Sequence, residues 1–218
     1  MSYSQAPWTL QGYAVASLQL IDIDRVRLLI PQELDIISPW FGKTIAGVYL
    51  SNYGSGSVLE YSELIVVAGF VSYQGKFGAW ISHIYVDNPD SVAGGREIWG
   101  LPKELAEFTW EGNQVKVRQG DRILCTLNYD AQGFAWNQWF GVSSFSTMNS
   151  NLLLFPAEMR SHFGFINSKL EVPAESPFAH LNLGQPFISV RCENMHLQVD
   201  APKVVGTTTA TTEFSYRV

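Results

Sequence analysis

The sequence predicts a mainly β fold of ten or so strands with two or three short helices, and three observations lead to it. Short apolar segments and period-two alternation dominate the chain, which is typical of half-buried strands. Turn-forming residues are frequent, with 18 Gly and 10 Pro. Helix start and stop signals stand out at only two places. A chain of this kind can close into a barrel or a two-sheet cone with an interior space.

Apolar runs bounded by turn residues predict the strands. In the first half of the chain they are Tyr13–Ile21, Thr44–Tyr53, Glu63–Val71 and Ala79–Val86. A hairpin follows around Gly120-Asp121, formed by Gln114–Gln119 and Arg122–Tyr129. The last third contributes Phe134–Val142, Leu152–Phe155, Phe187–Cys192 and Met195–Val199, before a Thr-rich tail.

Two segments carry helical signals. Asp22 is a candidate N-cap for a short helix over Asp22–Ile30, which Pro31 ends. Asn88-Pro89 opens a second helix over Asp90–Gly100, and the run Gly100-Leu101-Pro102 ends it. Because the helix ends at this run, we expect Lys103 to lie on the extended segment that follows it.

Length, charge and cysteine usage restrict the class of protein. The 218 residues predict a single domain over 1–218, with enough chain to bury a core without a metal or disulfide. A net charge of −6 argues against a nucleic-acid partner. Cys125 and Cys192 are expected to be reduced core thiols. The N-terminus lacks a signal-peptide pattern, and the longest apolar run, Leu64–Val71, is far shorter than the about 20 residues of a membrane span. We therefore expect a cytoplasmic protein without a transmembrane segment.

Metal and nucleotide motifs are missing from the sequence. No histidine has a partner at zinc-like spacing, no CxxC occurs, and GxSxG, P-loop and GxGxxG patterns are also lacking. We expect no metal and no cofactor. Structural or surface positions are expected for His83, His162, His180 and His196.

The segment from Gly94 to Glu107 carries the strongest candidate for chemistry. Lys103 follows the apolar Trp99 and Leu101, which could hold its amine against an apolar wall. Desolvation of an ammonium group lowers its pKa and makes the nucleophilic amine available, and such an amine forms imines with carbonyl compounds. The alternative is a solvated lysine at a turn, which spacing alone favours because most lysines are exposed.

The same segment resembles the acetoacetate decarboxylase-like superfamily, whose motif reads roughly GRE-x-x-G-x-P-K-[KE]-L. The strand Ile84–Asn88 is similar to the family strand before this motif, and Ile21–Leu34 is similar to an early family helix and the turn after it. The resemblance runs from about Gly12 to Asp130. The motif positions that match are Gly95, Arg96, Glu97, Gly100, Pro102, Lys103 and Leu105.

The resemblance implies a cone-shaped, largely antiparallel β-barrel around a closed hydrophobic cavity, and members that assemble as multimers. It implies that Lys103 forms an imine with a carbonyl substrate and that Glu63 is an acid/base inside the cavity, where we expect it to be mostly buried. Arg96 and Glu97 would support the lysine segment, together with Trp99 and Glu104. A homo-oligomer is possible on the same basis.

The departures from the family pattern argue against acetoacetate as the substrate. The second lysine of the family is Glu104 here, although consecutive residues of an extended segment point to opposite sides. The family's substrate-facing arginine falls at about Gly12, with Arg25, Arg27 or Arg96 as conceivable substitutes, and its first cavity glutamate falls near Val48. A sub-branch of plant members linked to neoxanthin accumulation is more similar, which indicates an apolar ligand.

Two functions are consistent with these residues. The first is a Schiff-base-forming lyase, of decarboxylase or aldolase/dehydratase type, that acts through Lys103 on a hydrophobic or neutral carbonyl compound. The second is a non-catalytic protein that binds an apolar ligand, such as a carotenoid- or lipid-like molecule, in the same cavity. Retention of Lys103 and Glu63 favours the first, and loss of the arginine and second lysine favours the second.

Overall fold

The chain folds into β-strands with little helix, in a computed structural model that describes residues 3–209. Two α-helices, α1 (Ile23–Val26) and α2 (Pro89–Trp99), and two 3-10 turns, Arg27–Leu29 and Ala179–Leu181, lie between the strands. The strands of the described residues are β1 (Trp8–Asp22), β2 (Asp35–Ile36), β3 (Lys43–Tyr53), β4 (Tyr61–Tyr73), β5 (Lys76–Val86), β6 (Lys103–Leu105), β7 (Glu107–Glu111), β8 (Gln114–Gln119), β9 (Arg122–Tyr129), β10 (Trp136–Met148), β11 (Asn151–Phe165), β12 (Ser168–Glu171), β13 (Ile188–Val199) and β14 (Lys203–Thr207).

These strands form two sheets. The first has ten strands in the order β2-β4-β3-β1-β13-β11-β10-β5-β6, with β14 added to β11. Because β4 also pairs with β5, the path of paired strands returns to β4. The second sheet has the order β12-β9-β8-β7. Pairing is antiparallel except between β10 and β5 and between β5 and β6, so the predicted mainly β, largely antiparallel class is confirmed.

The register of three neighbouring strands brings the two predicted site residues together. Glu63 of β4 lies opposite Val86 of β5, and Ile84 of β5 lies opposite Lys103 of β6. Glu63 and Lys103 are therefore on strands that flank β5 at nearly the same height.

Helix α2 forms as its local signals predict. The Asn88 side chain accepts hydrogen bonds from the backbone N–H groups of Asp90 and Ser91, which satisfies donors that the first turn leaves open. Pro89 occupies the first turn, where its missing N–H is not needed. At the other end Gly100 adopts φ 63°, a left-handed conformation that glycine reaches without strain.

The predicted helix over Asp22–Ile30 is wrong in extent. The α-helix covers only Ile23–Val26 and continues as a 3-10 turn. Asp22 makes no side-chain cap, because it ends β1 opposite Lys43 and its carboxylate lies 2.7 Å from that ammonium group. The cross-strand ion pair takes the oxygen that a cap would have used.

The last third of the chain contains longer strands than predicted. The run Phe134–Val142 is the start of β10, whose first half is largely exposed, and Leu152–Phe155 is the start of β11. The two runs Phe187–Cys192 and Met195–Val199 belong to the single strand β13, which Asn194 interrupts with φ 49°. Residues of the Thr-rich tail beyond 209 lie outside the described residues.

The largest cluster of buried apolar side chains spans the two sheets, since it includes Leu50 and Val66 of the first sheet and Leu124 and Leu127 of the second. Cys125 and Cys192 are free, buried thiols, as predicted, and burial raises the pKa of Cys125 to about 12. None of the helices between residues 3 and 209 has the length and apolar character to cross a membrane.

Candidate active site

A pocket of about 210 Å³ lies against β4, β5, β10 and β11. Its lining is mainly apolar and aromatic, and it includes the predicted wall residues Trp99 and Leu101. Glu63 and Lys103 are the charged side chains among the described residues of this lining. A dry wall of this kind strengthens every electrostatic interaction inside it.

The Lys103 amine is buried and fully engaged. The residue is 3% exposed, and its Nζ lies 2.8 Å from Glu63 Oε1 and 3.0 Å from Ser91 Oγ. The ammonium also lies 5.0 Å from the centre of the Tyr61 ring and 5.8 Å from a Trp8 ring, within the range of cation–π attraction. Lys103 therefore is a buried group of the pocket and not a solvated lysine at a turn.

Glu63 meets the burial that the sequence predicts, with 4% exposure. Its second oxygen, Oε2, accepts a hydrogen bond of 3.2 Å from the Tyr53 hydroxyl. Burial, reinforced by Tyr49 and by the Glu63 carboxylate, raises the pKa of Tyr53 well above its ordinary value, and burial next to Glu63 does the same for the pKa of Tyr61. Both phenols therefore stay neutral and keep the proton that a hydroxyl needs to act as a hydrogen-bond donor.

Helix α2 supports the lysine through the space left at one glycine and through two side chains, Arg96 and the Ser91 hydroxyl already described. A Cβ atom at Gly95 would lie 2.4 Å from Lys103 Cδ, so only glycine leaves room for the lysine stem. Arg96 Nε donates a 2.8 Å hydrogen bond to the Lys103 carbonyl. Trp99 Nε1 donates to the Asp200 carbonyl at 2.8 Å, and its ring packs edge-on against Trp8 at 5.0 Å.

Two of the predicted supporting carboxylates lie on the surface. The Glu97 carboxylate accepts a hydrogen bond from the Tyr3 hydroxyl. The Glu104 carboxylate accepts one of 2.9 Å from Gln119 Nε2. Since Glu104 is exposed and Lys103 is buried, the expected opposite orientation of these neighbours is confirmed.

The family positions that the sequence lacks remain without a charged substitute in this pocket. At Gly12 a Cβ would lie 1.9 Å from the Asn52 carbonyl oxygen, so no side chain fits there. Val48 is buried in the core between the sheets, whereas its neighbour Tyr49 lines the pocket. The three arginines considered as substitutes bind elsewhere: Arg25 near Asp22, Arg27 on the carbonyls of Ile30, Pro31 and Leu34, and Arg96 on that of Lys103.

Sequence reasoning missed Ser91, Tyr53, Tyr61 and Trp8, which surround the lysine and glutamate. Their convergence depends on tertiary register, since Tyr53 and Tyr61 face each other across β3 and β4 and Trp8 arrives from the start of β1. Single serine and aromatic residues in such positions carry no local signal. Among residues 3–209, no three His, Cys, Asp or Glu side chains converge as a metal site would require.

Sequence comparison decides the family. The model of the family described as "Acetoacetate decarboxylase (ADC)" matches residues 7–139, more than half of the chain. The chain belongs to the acetoacetate decarboxylase family. The match contains β1 to β9 and hence both Glu63 and Lys103.

Individual members of the family resemble the chain to different extents. Protein NEOXANTHIN-DEFICIENT 1 of Oryza sativa subsp. japonica is 31% identical over 91% of this chain and 89% of its own length. The protein of the same name from Solanum lycopersicum is 30% identical over 50% of this chain, and the alignment spans 37% of that protein. Acetoacetate decarboxylase of Burkholderia ambifaria is 35% identical over 50% of this chain and 39% of its own length.

Two solved structures share the fold of this chain. The crystal structure of acetoacetate decarboxylase from Legionella pneumophila superposes with a TM-score of 0.75 at 16% identity, covering 96% of this chain and 91% of that chain. The enduracididine biosynthesis enzyme MppR complexed with pyruvate gives a TM-score of 0.61 at 14% identity, covering 93% and 90%. At these identities the likeness establishes the fold alone.

Proposed function

We propose that the chain is a Schiff-base-forming lyase that uses Lys103 to attack a small, hydrophobic or neutral carbonyl compound. One observation carries the proposal: the Lys103 amine is buried in an apolar pocket, 2.8 Å from the Glu63 carboxylate. Nucleophile and base within hydrogen-bond reach form the arrangement that imine chemistry needs. Membership of the acetoacetate decarboxylase family supports the same reading.

The proposal includes a finer description of the fold. We take the returning path of strands to be a cone-shaped β-barrel, with the pocket as its hydrophobic cavity, and residues 1–218 to be one domain. The pairing of β4 with β5 and the apolar pocket lining support this description.

In the proposed mechanism Glu63 first takes a proton from the Lys103 ammonium. The neutral amine attacks the carbonyl carbon and forms a carbinolamine. Glu63 then returns its proton to the departing hydroxyl, so that water leaves and a protonated imine remains on Nζ. The positive imine then accepts the electron pair of a neighbouring bond that breaks, either C–CO₂⁻ in a decarboxylation or C–C in aldolase chemistry, where Glu63 takes the proton of the β-hydroxyl as it becomes a carbonyl. In dehydratase chemistry Glu63 removes the proton next to the imine, and the enamine expels the β-hydroxyl group, which leaves as water with that proton.

The charge and size of the pocket favour a small neutral substrate over acetoacetate. A carboxylate in an apolar pocket needs a cation to offset its desolvation. The only cation of the described pocket lining is Lys103, which is already paired with Glu63. A cavity of about 150 Å³ binds benzene, so a pocket of about 210 Å³ accepts a compound only slightly larger. The ligand named with MppR, pyruvate, is also a small carbonyl compound, but because it is a carboxylate it supports the size of the proposed substrate and not its neutral charge.

The second candidate is a non-catalytic binding protein for an apolar ligand. The observation in its favour is the ion pair itself, since a carboxylate at 2.8 Å stabilises the charged, non-nucleophilic form of the amine. The pocket volume restricts this candidate to a small ligand, or to one end of a carotenoid- or lipid-like molecule.

Borohydride trapping separates the two candidates. The protein is incubated with 2-butanone and borohydride, and adducts are assigned by peptide mass spectrometry. An imine enzyme gives an adduct on Lys103 that exceeds labelling of surface lysines and disappears in Lys103→Ala. Lys169 is the matched control, because its ammonium group also faces a carboxylate, with Nζ 2.6 Å from Glu171 Oε1, but its side chain is 68% exposed.

The outcome that contradicts an imine enzyme is equal labelling of Lys103 and Lys169. Binding of toluene in the pocket would then leave the binding protein as the function.

Acetoacetate is the substrate control, and we expect no useful release of CO₂ from it. Rapid release that is lost in Lys103→Ala would overturn the neutral-substrate part of the proposal while supporting the imine.

A further inference from the structure

Two tyrosines of β3, Tyr49 and Tyr53, line the pocket from the same face of the strand. The Tyr53 hydroxyl donates to Glu63 Oε2 at 3.2 Å. The Tyr49 hydroxyl donates to Met195 Sδ at 3.2 Å and lies 3.5 Å from the Tyr53 oxygen. The two phenols therefore extend from the ion pair along one wall of the pocket.

The hydroxyl of the half-buried Tyr49 makes only weak hydrogen bonds. A thioether sulfur is a poor acceptor, and the oxygen of Tyr53 is at the outer limit of hydrogen-bond distance. Loss of solvent contact raises the pKa of Tyr49, and the opposing effect of the hydrogen bond with Tyr53 is smaller, so the hydroxyl keeps its proton. A buried donor with poor acceptors gains free energy when a better acceptor arrives.

The charge of the wall selects the kind of acceptor. The negative charge of Glu63 lies one hydroxyl away, which opposes an anionic oxygen, and the only cation of the described pocket lining, Lys103, already faces that carboxylate. A carbonyl, ether or alcohol oxygen meets the Tyr49 hydroxyl without this repulsion.

We propose that the Tyr49 hydroxyl binds a second, uncharged oxygen of the ligand whose carbonyl group meets Lys103. The ligand class is thus a small ketone or aldehyde with a further hydroxyl, ether or carbonyl group. The assignment rests on the proposed function for the role of Lys103, but not for the hydrogen bond at Tyr49. Met195, an unbranched side chain, only has to give up a weak contact to admit the ligand.

The first experiment avoids imine chemistry altogether. Affinities for benzyl alcohol and toluene are measured by calorimetry on the full chain. Tyr49→Phe is expected to weaken benzyl alcohol binding about threefold to tenfold, with toluene binding unchanged. Met195→Leu, which removes the competing sulfur at similar volume, is expected to strengthen benzyl alcohol binding selectively. Tyr13→Phe is the control, since Tyr13 lies outside the lining and packs on Trp110.

Equal changes for both ligands in Tyr49→Phe would assign Tyr49 a packing role and overturn the proposal, as would an unchanged affinity for benzyl alcohol.

The second experiment joins the two sites. Borohydride trapping at Lys103 is compared for 4-hydroxy-2-butanone and 2-butanone, and half-saturation is expected at about threefold to tenfold lower concentration for the hydroxyketone. Tyr49→Phe is expected to remove this preference. If trapping at Lys103 showed the same half-saturation for the two ketones, or the same preference in Tyr49→Phe as in the wild type, the Tyr49 site would be overturned and the imine function would remain. A failure to trap either ketone, with the calorimetric difference intact, would overturn the imine function and leave the Tyr49 site standing.

Discussion

Two lysine–glutamate pairs of this protein have nearly the same geometry and opposite surroundings. Lys103 and Glu63 lie 2.8 Å apart with side chains 4% and 6% exposed. Lys169 and Glu171 lie 2.6 Å apart with side chains 68% and 52% exposed. The distance between the charges is therefore not what distinguishes them. Water competes for both charges of the surface pair, whereas the buried pair has only Ser91, Tyr53 and two aromatic rings in its place.

The comparison shows that ion pairs of the same length affect stability differently at the surface and in the interior. On the surface, screening and side-chain entropy leave a pair with a median contribution of about 0–1 kcal/mol. In the interior each charge depends on its partner, because neither can return to water without unfolding. A buried pair in a pocket is thus a weak source of net stability but a strongly coupled unit, which supports its assignment to chemistry.

The largest expected effect is the removal of one buried partner. Glu63→Leu leaves the Lys103 charge uncompensated and is expected to lower the free energy of unfolding, measured by urea titration, by about 3–5 kcal/mol. The double variant Glu63→Leu/Lys103→Met removes both charges and is expected to recover most of this loss. A double variant as unstable as the single one would show that the two charges are not coupled.

A half-buried histidine tests the same principle, because the nearby Glu104 carboxylate offsets only part of the effect of burial on its pKa. Burial, and then the nearby His180, lowers the pKa of His83 to about 4, compared with about 6.5 in an unfolded chain. The unfolded state therefore binds its proton first, so stability from the neutral ring is complete above pH about 6.5 and is lost as pH falls from about 6.5 to about 4. The loss is about 3 kcal/mol.

Urea titrations of the wild type and His83→Gln across this pH range measure the difference. Because Gln binds no proton in either state, we expect the stability of the wild type relative to His83→Gln to be constant above pH about 6.5 and to fall by about 3 kcal/mol towards pH 4. Parallel curves would mean that the ring protonates in the folded state as easily as in water.

The third effect concerns the hydrogen bond to the buried carboxylate. Tyr53→Phe removes the donor to Glu63 Oε2, and hydrogen bonds to charged groups contribute about 1.5–3 kcal/mol. Unfolding measurements should show a loss of this size, against less than about 0.5 kcal/mol for the half-buried Tyr13→Phe. Equal losses would indicate that the Tyr53 ring packing, not its hydroxyl, supports Glu63.

The smallest effect is expected at the exposed pair. Lys169→Ala should change the free energy of unfolding by less than about 0.5 kcal/mol, because solvent already screens both charges. Added sodium chloride should reduce even this difference. A loss above about 2 kcal/mol at this position would remove the contrast between the two pairs.

Local signals predicted a large part of the site. The cap at Asn88, the stop at Gly100 and the extended segment at Lys103 depend on neighbours in sequence, and the structure has all three. The burial of Glu63 followed from its apolar strand together with the family resemblance.

Features that depend on register or on exposure could not be predicted. The Tyr53 donor to Glu63 requires the pairing of β3 with β4, and Ser91 reaches the amine only because α2 packs beside β6. The first half of β10 is exposed on both faces, so no alternation marks its length. Asp22, read as a helix cap, had a cross-strand partner in Lys43 that no local pattern reveals.

Gly95 has a consequence for recognising other chains of this kind. Its missing side chain leaves the space that the Lys103 methylene stem fills, with Cδ only 2.4 Å from where a Cβ would stand. The orientation of the lysine therefore depends sterically on a glycine eight positions earlier in the sequence. A sequence that keeps the lysine but has alanine at the glycine position must place the lysine stem differently. Screening genomes for both residues together would select the chains whose lysine can point into the pocket.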